Sequence, residues 1–269
     1  MSDDANRGTL YPALLPGDFR RVPATGAAAE LVTWWWLTRW DLPEGEVSRQ
    51  RVLAYPTTNL VVEDALVGFA GPTTEASHRD LTGAGWAIGA RLRPAAVPAF
   101  TAEPAALRDR YVELTEPELQ AVVAGRVAAA GVEAGVEAVA SWLVARVGEV
   151  PDEARVANAV ADHFESALRV GTLVDTAEAL VISVRTLHRI TTKYIGLTPH
   201  AMLRRRRLQD AAHLLRTDLA VSVSTVAAEF GFADQAHLAH EFRRVLGYSP
   251  SEYRRSLAHP PGLRSPGPR

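Results

Sequence analysis

The sequence predicts an α+β chain: a small N-terminal β-barrel or sandwich, a helical linker, and a C-terminal all-α domain built as a double helix-turn-helix. Three observations predict it. Short β-prone runs broken by glycine and proline fill the first 115 residues. An Ala/Val-rich stretch with helical spacing follows, and the basic last third repeats one pattern of helix, turn, helix and stop. The expected boundaries are 1–115, 116–150 and 151–258, with a Pro/Gly-rich tail over 259–269 that cannot build a core.

In the first segment, Leu31–Thr38, which includes Trp34-Trp35-Trp36, suits a strand. Asn59–Glu63 and Ala65–Phe69 suit a hairpin around Glu63-Asp64, and Trp86, Ile88, Ala90 and Leu92 alternate with Arg91 and Arg93. If the barrel holds a small-molecule effector, Trp34, Trp36, Tyr55 and Trp86 are the lining expected, with Arg39 or Arg91 as anchor for a carboxylate or phosphate. The same aromatics on strands also read as core. His78 is the only histidine before His163, so no metal-ligand cluster is present and no metal or other cofactor is expected.

In the second segment, Leu119, Val122, Val123 and Val127, then Val136, Val139, Leu143 and Val147, fit two helices broken near Gly131. Two placements fit their apolar faces: docked on the barrel as a hairpin, or paired across a homodimer. Pro151 then opens a leading helix carrying Val156, Val160, Phe164 and Leu168.

The net charge of −2 conceals a division. Residues 1–169 hold 15 arginines against 23 acidic residues, whereas residues 170–269 hold 14 basic against 8 acidic residues and six of the eight histidines. The basic part is the one expected to meet phosphate. No apolar run reaches the roughly 18 residues of a membrane span, the start MSDDANRGTL lacks the order of a secretory signal, and cysteine is absent. These features fit a cytoplasmic protein.

The segment from Ala177 falls on that from Ala228 at an offset of 51 residues, aligning Ser183 with Asp234, Leu187 with Leu238, and Gly196 and Pro199 with Gly247 and Pro250. In the first copy Thr176–Val181 is the first helix, Ser183 caps the second, and Leu187, Ile190 and Tyr194 point inward. In the second, Val223 to Phe230 is the first helix, Gly231 the turn, Asp234 the cap, and Leu238, Phe242, Val245 and Leu246 the inward stripe. A helix from Pro199 to about Arg216 joins the copies. Of the four arginines Arg204–Arg207, one or two reach phosphate or all belong to a solvated face with a salt bridge to Asp210.

Burying those stripes leaves Arg185, Thr186, His188, Arg189 and Thr192, with the cap Ser183, on the first second-helix, and Gln235, His237, His240, Arg243 and Arg244 on the other. Arginine can address guanine bidentately and glutamine adenine, and an α-helix fits the major groove. His237, at a helix start, reads equally as a base reader or as a partner of backbone.

Glu229–Arg255 and Ser183–Leu215 resemble the AraC/XylS family of transcription regulators over about 100 residues from near Pro151. The resemblance implies two recognition helices in successive major-groove faces of double-stranded promoter DNA, with RNA polymerase as a further partner. It places base contacts on Arg185, His188, Arg189, Gln235, His237 and His240. The chain departs from the family pattern at Thr191, where an aromatic residue is common, at Ala236-His237-Leu238, where Ser-His-Phe is common, and at His240, where arginine is common. The layout of the first 115 residues is loosely similar to the barrel-like sensor domains found ahead of such modules. A non-enzymatic, sequence-specific regulator is therefore expected. An architectural DNA-binding protein, or an N-terminal enzyme targeted to DNA, are the alternatives, though no nucleophile-and-base pair or phosphate-cradling loop is present.

Overall fold

The computed structural model describes residues 19–52, 57–166 and 171–258; Tyr55, Leu168 and the tail from 259 lie outside them. Among the described residues there are eight strands: β1 (Arg20–Pro23), β2 (Val32–Asp41), β3 (Val47–Val52), β4 (Asn59–Glu63), β5 (Val67–Ala70), β6 (Ser77–Thr82), β7 (Ala84–Leu92) and β8 (Tyr111–Leu114). Six make one antiparallel sheet in the order β1-β2-β7-β4-β5-β8, and β3 pairs with β6 as a separate ribbon. The hairpin expected at Glu63-Asp64 is β4–β5, with Val62 opposite Val67. Its second strand starts later than the sequence suggests, because the Glu63 N–H donates to the Leu66 carbonyl at 2.8 Å and residues 64–66 are consumed by the turn.

Alternation along the strands gives the sheet two different faces. Trp35, Leu37, Leu60, Val62, Phe69, Ile88 and Ala90 share one face and are buried. Against it lies a hairpin of two helices, α1 (Pro117–Ala130) and α2 (Val132–Val147), broken at Gly131 with φ +88°. The approach is close, since a methyl group at Gly135 of α2 would come within 2.5 Å of Ile88. Of the two placements open at the sequence level, the apolar faces of this hairpin take the intramolecular one, leaving only isolated residues such as Val122 (53% exposed) outward.

The helical part follows as α3 (Asp152–Ser166), α4 (Leu173–Ala179), α5 (Val184–Ile190), α6 (Pro199–Thr217), α7 (Val223–Glu229), α8 (Gln235–Leu246) and α9 (Pro250–Ala258). Each boundary has a local cause. Ser183, Thr198, Ser222 and Asp234 accept hydrogen bonds from the backbone N–H three residues on, and Gly196 and Gly247 end helices at φ +77° and +76°. α4 begins at Leu173 rather than Thr176 because Thr172 and Asp175 form a reciprocal capping box, Asp175 standing where glutamate is usual. Beyond Ile190 the chain continues as a wider π-type turn, Thr191–Ile195, so Tyr194 still reaches the interior.

The repeat does not keep a constant offset. The caps Thr172 and Ser222, and the helices α4 and α7, correspond at 50 residues, whereas Ser183 and Asp234 correspond at 51. The second turn holds one residue more. This puts Val181, at φ +54° and 92% exposed, where the second unit has Gly231 at φ +72°. A β-branched residue in left-handed backbone is strained by about 1–2 kcal/mol. Val181→Gly removes no packing and is expected to raise stability by about 0.5–1 kcal/mol after glycine's larger unfolded-state entropy is subtracted. A urea midpoint that fell instead would show that Val181 holds the turn.

Buried residues fall into two clusters. One runs from the sheet through α1–α3 and the first unit to Leu203, crossing residue 151 without a break. The other comprises twelve residues from Leu208 to Tyr253 and belongs to the second unit. The long helix α6 supplies both, Met202 and Leu203 to the first and Leu208 to Leu215 to the second. No helix among the described residues is long and apolar enough to cross a membrane.

Candidate nucleic-acid interface

In each unit the second helix is held by a buried stripe and presents a polar face. Leu187, Ile190, Thr191 and Tyr194 are buried beneath α5 and its extension, and Leu238, Phe242, Val245 and Leu246 beneath α8. Arg185, Arg189, Thr192, Gln235, His237, His240 and Arg243 are exposed; Thr186, His188 and Arg244 are half-buried. Both helix starts have their first N–H groups partly satisfied by the caps, through Thr186 N–H to Ser183 Oγ at 3.0 Å and His237 N–H to Asp234 Oδ1 at 2.7 Å. Ser183 thus serves as the cap of α5. Its hydroxyl also lies 2.9 Å from that of Thr186.

The exposed groups are not equally free. Arg189 and Lys193, four residues apart on one face, both donate to the Glu153 carboxylate of α3, which also accepts from the Tyr194 hydroxyl at 3.0 Å. Those donors, Lys193 first and then Arg189, hold the Glu153 carboxyl down at about 2. Glu153 is therefore ionised at neutral pH and takes up a proton as pH falls toward that value. Arg244 turns back to Glu241 at 3.0 Å, and its carbonyl accepts the Ala76 N–H at 3.3 Å. Burial opposes ionisation of Glu241, but the hydrogen bond and charge of Arg244, with Arg204 at 3.6 Å, bring its carboxyl below the usual range.

Of the two roles open to His237, the structure shows the one toward backbone. Its Nδ1 accepts the Ala233 N–H at 3.3 Å, which in the neutral ring leaves Nε2 as an outward N–H donor. Thr191 is fully buried and its hydroxyl donates to the His188 carbonyl at 3.2 Å, so its departure from an aromatic residue is absorbed locally. The run Arg204–Arg207 is largely structural. Arg205 and Arg206 are buried, Arg206 pairs with Asp210 at 3.0 Å and donates to the Glu165 carbonyl, and Arg207 reaches the Gly171 carbonyl at 3.4 Å.

Lys193 and Glu153 were not among the residues expected at the site. The spacing Arg189, Lys193 is a signal that could have found the first. Glu153 lies 36 residues from Arg189 and only the packing of α3 brings it there.

Connecting segments of the N-terminal part come close to both α5 and α8. Residues 102–106 and His188, Arg189, Thr192 and Lys193 line one open cleft. Arg108 donates to the Gly196 carbonyl at 3.0 Å, and the loop after β5 reaches Arg244 through Ala76.

The residues expected to line an effector pocket do not share one surface. Trp34, Trp36 and Arg91 lie on the sheet face opposite the helices, whereas Arg39 pairs with Trp86 in the register of the helix-facing side. The parity of 34, 36 and 39 already carries this. Trp36 lies flat on Gly89, where a methyl group would come within 1.8 Å of its ring, and its indole N–H donates to Asn59 at 3.2 Å. Nor is Arg91 a free anchor: it is buried, forms an ion pair with Glu165 of α3, and donates to the Thr57 hydroxyl at 3.3 Å. Tyr55 is outside the described residues. On the same face Glu63 is buried beside Arg79 at 2.6 Å, and burial pushes its carboxyl up. No group of three or more metal-ligating side chains occurs among the described residues.

Residues 176–256 match a family described as a helix-turn-helix domain, and residues 20–113 match a domain of unknown function, DUF6597. Over 110 residues, 40% of this chain, the sequence is 40% identical to the HTH-type transcriptional activator RhaS of Escherichia fergusonii, covering 38% of that protein. Over 94 residues it is 43% identical to RhaS of an Enterobacter species, covering 32% of it. The chain thus matches roughly a third of the length of these curated relatives. Among solved structures, it is similar to the DNA-binding domain of AdpA in complex with a target DNA, with 32% identity, 40% of this chain and 97% of that one covered, and a TM-score of 0.32. ToxT from Vibrio cholerae is 11% identical with a TM-score of 0.42, covering 82% of this chain and 97% of that one.

Proposed function

We propose that the chain is a sequence-specific transcription regulator of the AraC/XylS type that reads promoter DNA with α5 and α8, within the residues 176–256 that match a helix-turn-helix domain. The observation that carries this reading is the pair of helices pinned by buried stripes with Arg185, Arg189, Thr192, Gln235, His240 and Arg243 left exposed. Such side chains match base edges and phosphates, and helices so held can enter a groove without unfolding anything. Residues 20–114 act as the sensor, for a small molecule or a protein partner, and RNA polymerase and a second copy of the chain are the partners this role calls for. The similarity to RhaS, an HTH-type transcriptional activator, supports the reading.

The test is titration of duplex DNA at several salt concentrations. Affinity should fall steeply as salt rises and should differ between sequences by far more than it does among unrelated duplexes. Gln235→Ala should relax preference at one base position by about 1–3 kcal/mol. Equal affinity for all duplexes in wild type and variant would instead favour an architectural role.

A further inference from the structure

The helix α3 touches both halves of the molecule through charged groups, and its contacts with the N-terminal half run along its length from Arg155, which pairs with Glu30 at 2.6 Å, to Glu165. At its C-terminal end Glu165 pairs with the buried Arg91 of β7, and Asp162 pairs with Arg93. Near its middle the Asn158 amide donates to the Glu30 carbonyl at 2.9 Å, and its oxygen accepts the Ala95 N–H at 2.9 Å. These contacts fasten α3 to the sheet. At its N-terminal end Glu153 takes Arg189 and Lys193 of the first reading helix.

A carboxylate receiving a guanidinium and an ammonium occupies the position a phosphate or a guanine edge would need. All three side chains remain partly exposed, at 54%, 51% and 31% for Arg189, Lys193 and Glu153, so the cluster is open to competition from an incoming polyanion. The contacts that hold α3 to the sheet side fix where the Glu153 carboxylate stands against Arg189 and Lys193. We infer that Glu153 withholds Arg189 and Lys193 from DNA, and that α3 passes the state of the sheet to the first reading helix by setting how firmly that carboxylate is held against them. This rests on the proposed reading of α5 as a DNA-contacting helix.

The test needs no knowledge of the operator. Full-length wild type and Glu153→Gln are titrated with a mixed-sequence duplex across a salt series, with melting curves confirming that both fold. Glu153→Gln should bind about three- to tenfold more tightly at moderate salt, with the log–log salt slope steeper by about 0.9 for each cation freed. Arg189→Ala in the Glu153→Gln background should remove most of the gain. Glu165→Gln, which loosens the grip of the sheet without touching the reading helix, should give part of the same rise. Unchanged or weaker binding by Glu153→Gln would overturn the inference and make Glu153 a positioning residue. A gain with Glu153→Gln but none with Glu165→Gln would overturn the coupling through α3. A wild-type chain that bound no duplex at all would instead remove the DNA-binding reading itself.

Discussion

Phe242→Ala is expected to melt the second helical unit while the sheet and the first unit remain folded. Phe242 is fully buried, with its ring 5.5 Å from that of Tyr253, inside a cluster of only twelve buried residues. Truncating a buried phenylalanine costs about 3–5 kcal/mol, and a core this small holds little in reserve. The larger cluster, which runs from the sheet to Leu203, contains none of the neighbours lost. Hydrogen exchange should therefore show protection collapsing in α7–α9 and the C-terminal half of α6, with β2, β7 and α5 protected as in the wild type. Duplex affinity should drop toward that of one reading helix. A single melting transition, shifted as a whole, would mean that α6 couples the two cores into one cooperative unit.

Gly196→Ala is expected to cost about 2–4 kcal/mol, more than its backbone angle alone explains. At φ +77° a side chain is strained by about 1 kcal/mol, and here the added methyl would lie 2.6 Å from the carbonyl carbon of Pro104 and 2.7 Å from the nitrogen of Ala105. Backbone cannot swing aside as a side-chain tip would, so overpacking adds about 1–3 kcal/mol. Gly231→Ala is the matched control: φ is +72°, but the nearest group is the Arg207 guanidinium at 3.5 Å, which can give way. Its cost should stay near 1 kcal/mol. Urea midpoints for the two variants measure the difference, and equal losses would show that the approach of residues 104–105 to the first unit contributes nothing.

Much of the helical part was legible because its determinants are local. Ser183, Asp234, Gly196, Gly247 and the proline at position 199 act within four residues of themselves, and the stripes Leu187–Ile190–Tyr194 and Leu238–Phe242–Val245 follow from helical spacing. The misses there were local too. The Thr172–Asp175 capping box moves α4 three residues earlier, and one extra residue in the second turn shifts the repeat. In the sheet, period-two alternation located the strands, but treating Trp34, Trp36, Arg39, Trp86 and Arg91 as one lining ignored that alternation also separates faces.

What the sequence determined by itself was therefore the central strands β2, β4, β5 and β7, the order of the helices, the two capped helical units and the polar residues left on α5 and α8, because backbone capping and hydrophobic periodicity act over one or two turns. Only the tertiary structure decided which of those residues are free. Glu153 reaches Arg189 across 36 residues, Arg91 meets Glu165 across 74, and Arg108 finds the Gly196 carbonyl across 88. Contacts at such separations depend on where whole elements pack, and no local pattern in the chain encodes that.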